Sequence, residues 1–548
     1  MNQAGEQLTQ VGKGQLRRWG PWVLAALALA LYLPGNNVLP LLDRDEPRFA
    51  QATREMIERD EWIVPYFNGQ YRLHKPVLIY WLMRGTYAVF GVNEFAARLP
   101  SALCAAALVG LTCYIGTRWF SAVTGCLAGF TLMTCVQLFL LGRSATADLP
   151  MVLAVLVAHW AMWELLTDGK SKWWWLFWGA LGVGFLAKGP VAILLPGLTL
   201  LFYRFALWRQ PVPWRRLRPE LGIPVMLAII CAWGIPALVR THGEFWRIGI
   251  GYHVVARGVE SFEGHGAFAP YFYFATALFS LFPWIAFAGD GIHATRQNWN
   301  AKNAFLVSWV AGTYLLFTLY LTKLPHYVLP CFPALFLLLG QARGTGRWAT
   351  RWFWTVTGIG LALAIGLLAA TCVVPGEWRL LGLALTGLVA GPVTLAVYWR
   401  NGRVFRAVVP LAMIVVSIVA LGVAWRRICP AIAVQRVTQS LPAATRCATV
   451  EFGEPSIIFY TSRRWEELGG AAAIQKFLRT DGPGLVVCAE RETRVEDQLK
   501  KWFGLRVPVR AVLDLDSLDT TGWQRVDVGG LNMARVSWVQ LRVYYRPQ

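Results

Sequence analysis

Long apolar runs recur along the chain, most of them about as long as a bilayer is thick, with polar segments between them. About 20 consecutive apolar residues carry an α-helix across a membrane. Thirteen runs qualify, with approximate limits 21–40, 97–117, 121–141, 148–166, 173–187, 190–206, 219–240, 270–289, 303–321, 325–341, 353–374, 379–398 and 407–425. The runs 173–187 and 190–206 are short and joined by Lys188-Gly189-Pro190. A fourteenth candidate, 76–91, is short and carries Arg84 at its middle. A charge there is costly in the bilayer core, so this run reads as an amphipathic helix lying in the interface.

Loop charge then sets an orientation. With the N-terminus inside and 76–91 not crossing, the basic loops around Arg118, Lys170, Arg215, Arg296, Arg347 and Arg403 all fall on the cytoplasmic side, as the positive-inside bias requires. Thirteen crossings place the C-terminus outside. Four polar segments meet on that outer face: 41–75, 142–148, 241–269 and the turn at Lys323.

From about residue 430 the period changes. Short alternating stretches such as Ser456–Tyr460 and Leu485–Cys488 predict strands, and Ala471–Arg479 predicts a helix between them. The expected architecture is a polytopic α-helical membrane domain over 1–429, with outer loops 41–96 and 241–269, followed by a soluble α/β domain over 430–548. About 120 residues can hold a core of their own.

Composition agrees. The 548 residues are 56% hydrophobic and 15% charged, with 28 Trp, whereas soluble domains carry about 25% charged residues. A net charge of +21 would suggest nucleic acid in a soluble protein. Here the cations lie between apolar runs, and no aromatic and basic RNA-binding motif stands out. The run at Trp22–Leu33 has no small-residue cleavage site after it and reads as a retained first helix. Most of the ten Cys sit in apolar segments as small hydrophobes. Cys447 and Cys488 fall in the polar tail, where a disulfide and a pair of buried thiols are both open.

Candidate chemistry collects in four places. Leu42-Asp43-Arg44-Asp45-Glu46-Pro47-Arg48 follows the first span, and acidic pairs of this kind hold a cation, bind a metal or act as a base. The cations of Tyr71-Arg72-Leu73-His74-Lys75-Pro76 suit lipid headgroups or the phosphate of a lipid-linked substrate. Asp148 opens an apolar run, a position that the helix dipole alone favours, and it also stands to join Asp45 in an acidic centre. The remaining cations are Lys188, Lys323 and Arg257; a Lys at a membrane boundary commonly snorkels to water. His242, His253 and His265 share the 241–269 loop with Arg257, but their spacing matches no common metal-ligand pattern.

Taken together, Asp45-Glu46-Pro47-Arg48-Phe49-Ala50, His74-Lys75-Pro76, Ala147-Asp148-Leu149-Pro150, Lys188-Gly189-Pro190 and Lys323-Leu324-Pro325-His326-Tyr327 are a signature. It resembles that of the membrane glycosyltransferases of the GT-C fold that use lipid-phosphate sugars. Within them it is most similar to the bacterial aminoarabinose transferases that modify lipid A; protein O-mannosyltransferases are more distant. The resemblance covers roughly 20–340 and implies a sugar donor of undecaprenyl phosphate carrying 4-amino-4-deoxy-L-arabinose, a lipid A phosphate as acceptor, and a site on the periplasmic side of the inner membrane. The product would be lipid A of lowered negative charge, which would give resistance to polymyxin and other cationic peptides. On this reading Asp45, Asp148 and Glu46 are the catalytic candidates. Lys75, Arg257, Arg48, Lys188, Lys323, Tyr327 and His253 are the donor-binding candidates. No cofactor is required, although a divalent metal near His253 and His265 is conceivable. A transporter is the rival class, but transporters place polar groups at the midplane, often in inverted repeats, and no repeat is visible here.

Overall fold

The computed structural model describes residues 2–167, 172–209, 211–249, 251, 269–342, 347–373, 377–494, 497, 500, 515–533, 535 and 537–547. Helix α1 (Asn2–Tyr32) stops eight residues short of the predicted limit at 40. Pro34 cannot continue it, and Gly35 turns the chain at φ +78°. The arrest is also bonded. The guanidinium of Arg143 donates to the carbonyls of Leu31, Tyr32 and Pro34, which the helix end leaves open.

The polar segment after α1 follows as helix α2 (Asp45–Glu58), a small hairpin of β1 (Tyr66–Phe67) and β2 (Gln70–Tyr71), and helix α3 (Leu78–Phe90). Helix α3 is the predicted amphipathic helix. Arg84 turns back onto α2, with Nη1 donating to the Met56 and Glu61 carbonyls and Nη2 bonded to Asp60 at 2.9 Å. Its charge is therefore partnered inside the protein, while Val89 and Phe90 stay exposed.

The bundle continues through α4 (Glu94–Trp119), α5 (Ala122–Thr134), α6 (Val136–Leu141), α7 (Asp148–Thr167), α8 (Trp173–Lys188), α9 (Val191–Leu201), α10 (Trp214–Leu217) and α11 (Pro219–Arg240). Further helices lie at Ala301–Leu319, Arg347–Val373, Glu377–Arg400 and Val408–Ile428. Among the described residues, six helices are long and apolar enough to cross a membrane. Several predicted runs differ in form. The run at 121–141 breaks at Cys135 into α5 and α6. The run at 270–289 becomes Phe272–Ser280 and Trp284–Gln297, bent by 108°. Both breaks are local: the freed Val136 N–H donates to the Phe282 carbonyl, tying one to the other.

In the C-terminal part, the helix Pro430–Gln439 leads to a five-stranded sheet of order β4-β3-β5-β7-β6. Its strands are β3 (Arg446–Val450), β4 (Trp465–Glu467), β5 (Gly484–Arg494), β6 (Gln524–Asn532) and β7 (Ser537–Arg546). Strands β3, β4 and β5 are parallel, while β7 runs antiparallel to β5 and β6. The predicted strand at Ser456–Tyr460 is instead a helix, Pro455–Thr461. All of its residues from Pro455 to Tyr460 are buried, so no alternation of faces operates, and Pro455 at the first helical position starts a turn. Leu485–Cys488 is a strand and Ala471–Arg479 a helix, as predicted.

The disulfide does not form. Cys447 pairs in register with Leu485, and Cys488 with Val450, three residues further along β3. An odd offset puts the two thiols on opposite faces of the sheet. Each lies in a different hydrophobic cluster. Burial pushes the Cys447 thiol up to about 11 and the Cys488 thiol up to about 12. Neither thiol is expected to react with iodoacetamide in the folded protein at pH 8, and both should after denaturation, as intact-mass measurement would show.

The sheet does not stand apart from the membrane half. One hydrophobic cluster runs from Leu41, Phe49 and Met56 of the segment after α1 to Phe459, Trp465 and Val543. Asp43 accepts from the backbone N–H and hydroxyl of Ser456, and Arg54 donates to the Phe459 carbonyl and Ser462 Oγ. Burial, with Glu454 nearby, pushes the Asp43 carboxyl up to about 7, while the Ser456 bonds and Arg48 pull the other way. A raised carboxyl favours the folded state while it holds its proton. That contribution is full below about pH 4 and is lost as pH rises through about 7. Asp43→Asn is therefore expected to raise the thermal transition at pH 8 and to leave it nearly unchanged at pH 4, by scanning fluorimetry in detergent.

Candidate active site

Four elements meet at the N-terminal end of α7. Asp148 is its first residue and is 8% exposed. Lys188 closes α8, where Gly189 at φ +78° ends the helix and Pro190 leads into α9. The Lys188 ammonium reaches the Asp148 carboxylate as a direct ion pair, and His326 Nε2 stands 3.7 Å from the same oxygen. His326 and Tyr327 come from a 3-10 segment, Pro325–Cys331, and the Lys188 ammonium lies 5.1 Å from the centre of the Tyr327 ring. The charge of Lys75 acts on Asp148 and His326, and that of Asp45 on Lys188 and His326. Asp45 opens α2 and its residue is exposed.

Beside this cluster lies a cavity of about 200 Å³. Its walls include Phe185, Ile230, Trp233 and Trp246, and its charged lining is Lys75 and Lys188. An apolar pocket bordered by two ammonium groups suits an anion attached to a hydrocarbon chain.

The spacing of the acids is held from behind. Arg98, at the start of the second turn of α4, is fully buried. Its five N–H groups meet the Asn36, Leu39 and Pro40 carbonyls and both oxygens of Glu46. Glu46 in turn accepts from the backbone N–H of Leu42 at 2.7 Å and of Ala145 at 2.6 Å. Through this clamp the turn that delivers Asp45 is fixed to α4 and to the segment that delivers Asp148.

The structure thus brings together Asp45, Lys75, Asp148, Lys188 and Tyr327 of the sequence candidates. Glu46 is corrected from a catalytic to a supporting position, because both its oxygens are filled and it is 2% exposed. Lys323 is corrected as well. Its ammonium caps the end of the Ala301–Leu319 helix, bonding the Phe317, Thr318 and Tyr320 carbonyls at 3.3, 2.8 and 2.6 Å. Such a cation satisfies open carbonyls and the helix dipole. Arg48 stands near Asp43. Arg257, His253 and His265 lie outside the described residues. Sequence reasoning missed Arg98 and the placement of His326. For Arg98 a signal existed: a cation at the start of an apolar run must have a partner.

A multi-pass helical membrane protein of the GT-C fold, with a charged site at one end of its bundle, is the class these features define. Residues 74–235 match the family model described as dolichyl-phosphate-mannose-protein mannosyltransferase. The chain is similar to the undecaprenyl phosphate-alpha-4-amino-4-deoxy-L-arabinose arabinosyl transferase of Erwinia tasmaniensis, at 28% identity over 68% of this chain and 66% of that one. It is also similar to an enzyme of the same name from Pseudomonas fluorescens, at 32% identity over 60% of each chain. The matched region spans 57% of the length of a third such relative, from an Enterobacter strain. In structure it is similar to ArnT from Cupriavidus metallidurans bound to undecaprenyl phosphate, with a TM-score of 0.74, 19% identity, and coverage of 95% of this chain and 97% of that one. The resemblance to the aminoarabinose transferases, read above from the motifs, holds in both comparisons.

Proposed function

We propose that the protein transfers 4-amino-4-deoxy-L-arabinose from undecaprenyl phosphate to a phosphate of lipid A. The observation that carries this reading is the pair Lys75 and Lys188 at the mouth of an apolar cavity, facing Asp148 and the exposed Asp45. The relatives' names, and the carrier bound in the similar ArnT structure, support the donor.

The reaction is a substitution at the anomeric carbon. An anionic oxygen of the acceptor phosphate forms the new bond, and the bond to the carrier phosphate breaks with its electron pair leaving on that phosphate. Lys75 and Lys188 stabilise the charge that develops there, and Arg257 is assigned to the same task. The acceptor oxygen needs no base. Asp45 and Asp148 therefore orient groups, with Asp45 open to meet the sugar's ammonium. If the acceptor were a protein hydroxyl, as the mannosyltransferase family model over 74–235 would favour, Asp45 would instead take its proton.

The loop charges support thirteen crossings, with the site and the C-terminal α/β domain (430–548) on the periplasmic side of a bacterial inner membrane. No metal is needed where no nucleotide diphosphate leaves, so transfer is expected to survive EDTA. Loss on chelation and recovery with a divalent ion would assign a metal to the loop of His253 and His265. The deciding experiment is mass spectrometry of lipid A from cells with and without the protein. A gain of one aminopentose supports the reading. A different sugar, or carrier movement without a covalent product, overturns it.

A further inference from the structure

A second cavity, of about 230 Å³, shares no lining residue with the one beside Asp148. It is walled by Trp284, Phe287, Leu339, Gly340 and Trp399 and lined by Arg400. Its position follows from α5 and α7. Gly340, also in its lining, lies against the backbone of Thr124 near the start of α5, and Leu127 and Thr131 extend the lining along that helix. Two residues before that helix's N-cap, Trp119 ends α4 and packs on Trp163 at 5.4 Å. Trp163 stands 15 residues beyond Asp148 on α7, which is about 22 Å along a helix. The cavity therefore belongs to the other end of the bundle.

Its walls are held in place. Trp399 stacks on Phe130 at 5.0 Å and meets Trp284 edge-on at 5.2 Å. Arg400 is aimed by two neighbours that do not neutralise it. Nη2 donates to Thr350 Oγ1 at 2.6 Å, and the guanidinium lies 4.6 Å from the centre of the Phe353 ring. Among the described residues, no carboxylate meets it at ion-pair distance. The nearby acid is Asp290, one helical turn beyond Phe287, whose charge and that of Arg400 act on each other. Asp290 is 8% exposed, and its Oδ2 has no hydrogen-bond partner among the described residues. At the next residue, Gly291, a side chain would run into Leu339 of the cavity wall.

An oriented guanidinium and an unfilled carboxylate oxygen beside one aromatic pocket match a headgroup carrying both charges. We propose that this cavity binds a membrane phospholipid of the phosphoethanolamine class, with the phosphodiester on Arg400, the ammonium toward Asp290 and the glycerol carbons against the packed faces of Trp284 and Trp399. Charge-assisted hydrogen bonds supply the affinity, and tryptophan suits the interface. This site is independent of the sugar-transfer reading.

The test is native mass spectrometry of the full-length protein in detergent, with phosphatidylethanolamine, phosphatidylglycerol or inorganic phosphate added at equal concentration. Phosphatidylethanolamine is expected to be retained about tenfold better than phosphatidylglycerol. Arg400→Gln should lower retention of both lipids. Asp290→Asn should abolish the preference while leaving phosphatidylglycerol bound. Circular dichroism identifies a variant that does not fold, in which case the other variant decides. Equal retention of both lipids by the wild type, an unchanged preference in the folded variants, or displacement of lipid by inorganic phosphate would overturn the proposal.

Discussion

Arg98→Met is expected to lower stability by about 3–5 kcal/mol, the cost of leaving a buried carboxylate without its partner. The loss should appear as a lower thermal transition and a shorter half-life in detergent. The reason is specific to this pair. All five Arg98 donors and four acceptor positions of Glu46 are engaged, so removing the guanidinium strands Glu46 and three backbone carbonyls at once. The double variant Arg98→Met with Glu46→Met removes both charges and should recover part of the stability. It should not recover transfer, because nothing then sets the distance between the Asp45 turn and Ala145. Full activity in a folded double variant would reduce the clamp to a stability element.

Lys188→Met is expected to lower the rate of transfer by about 10²–10³, the usual effect of deleting one donor to a developing charge. Methionine keeps the length and the apolar contacts of the stem, so the cavity wall is preserved. The loss should fall on kcat in a purified assay with carrier-linked sugar. Lys188→Arg should retain a measurable part, since it keeps the charge but not the geometry. A structural role alone would give a different pattern. Lys188→Met would then lower the thermal transition, and the added Asp148→Asn would restore both stability and rate by removing the unpaired acid.

Much of this was legible in the chain because membrane folding is governed by one strong constraint. Polar backbone and charge must be satisfied internally, so apolar runs mark the helices and interruptions mark what is built at their ends. Asp148 and Lys188 stood out because each borders an apolar run, and both lie in the cluster. Lys323 shares that pattern, yet its ammonium turns back onto its own helix end. A boundary position does not say which way a flexible side chain points. Glu46 and Asp45 are neighbours of one type, and only the helix phase separates them: one faces Arg98 and the other is exposed. The C-terminal strand at 456–460 failed for a related reason. Complete burial removes the two-residue alternation by which strands are recognised, and Pro455 then decides the local geometry.

The bond from Asp43 to Ser456 spans 413 residues of chain. At ribosomal rates of about 5–20 residues per second, that interval lasts roughly 20–80 s. Throughout it the segment that follows the first helix has already been made, while the surface it will rest on has not been synthesised. During biogenesis Leu41, Phe49 and Met56 thus wait uncovered, and a nascent chain arrested before residue 455 should be the species that proteases or holdases capture.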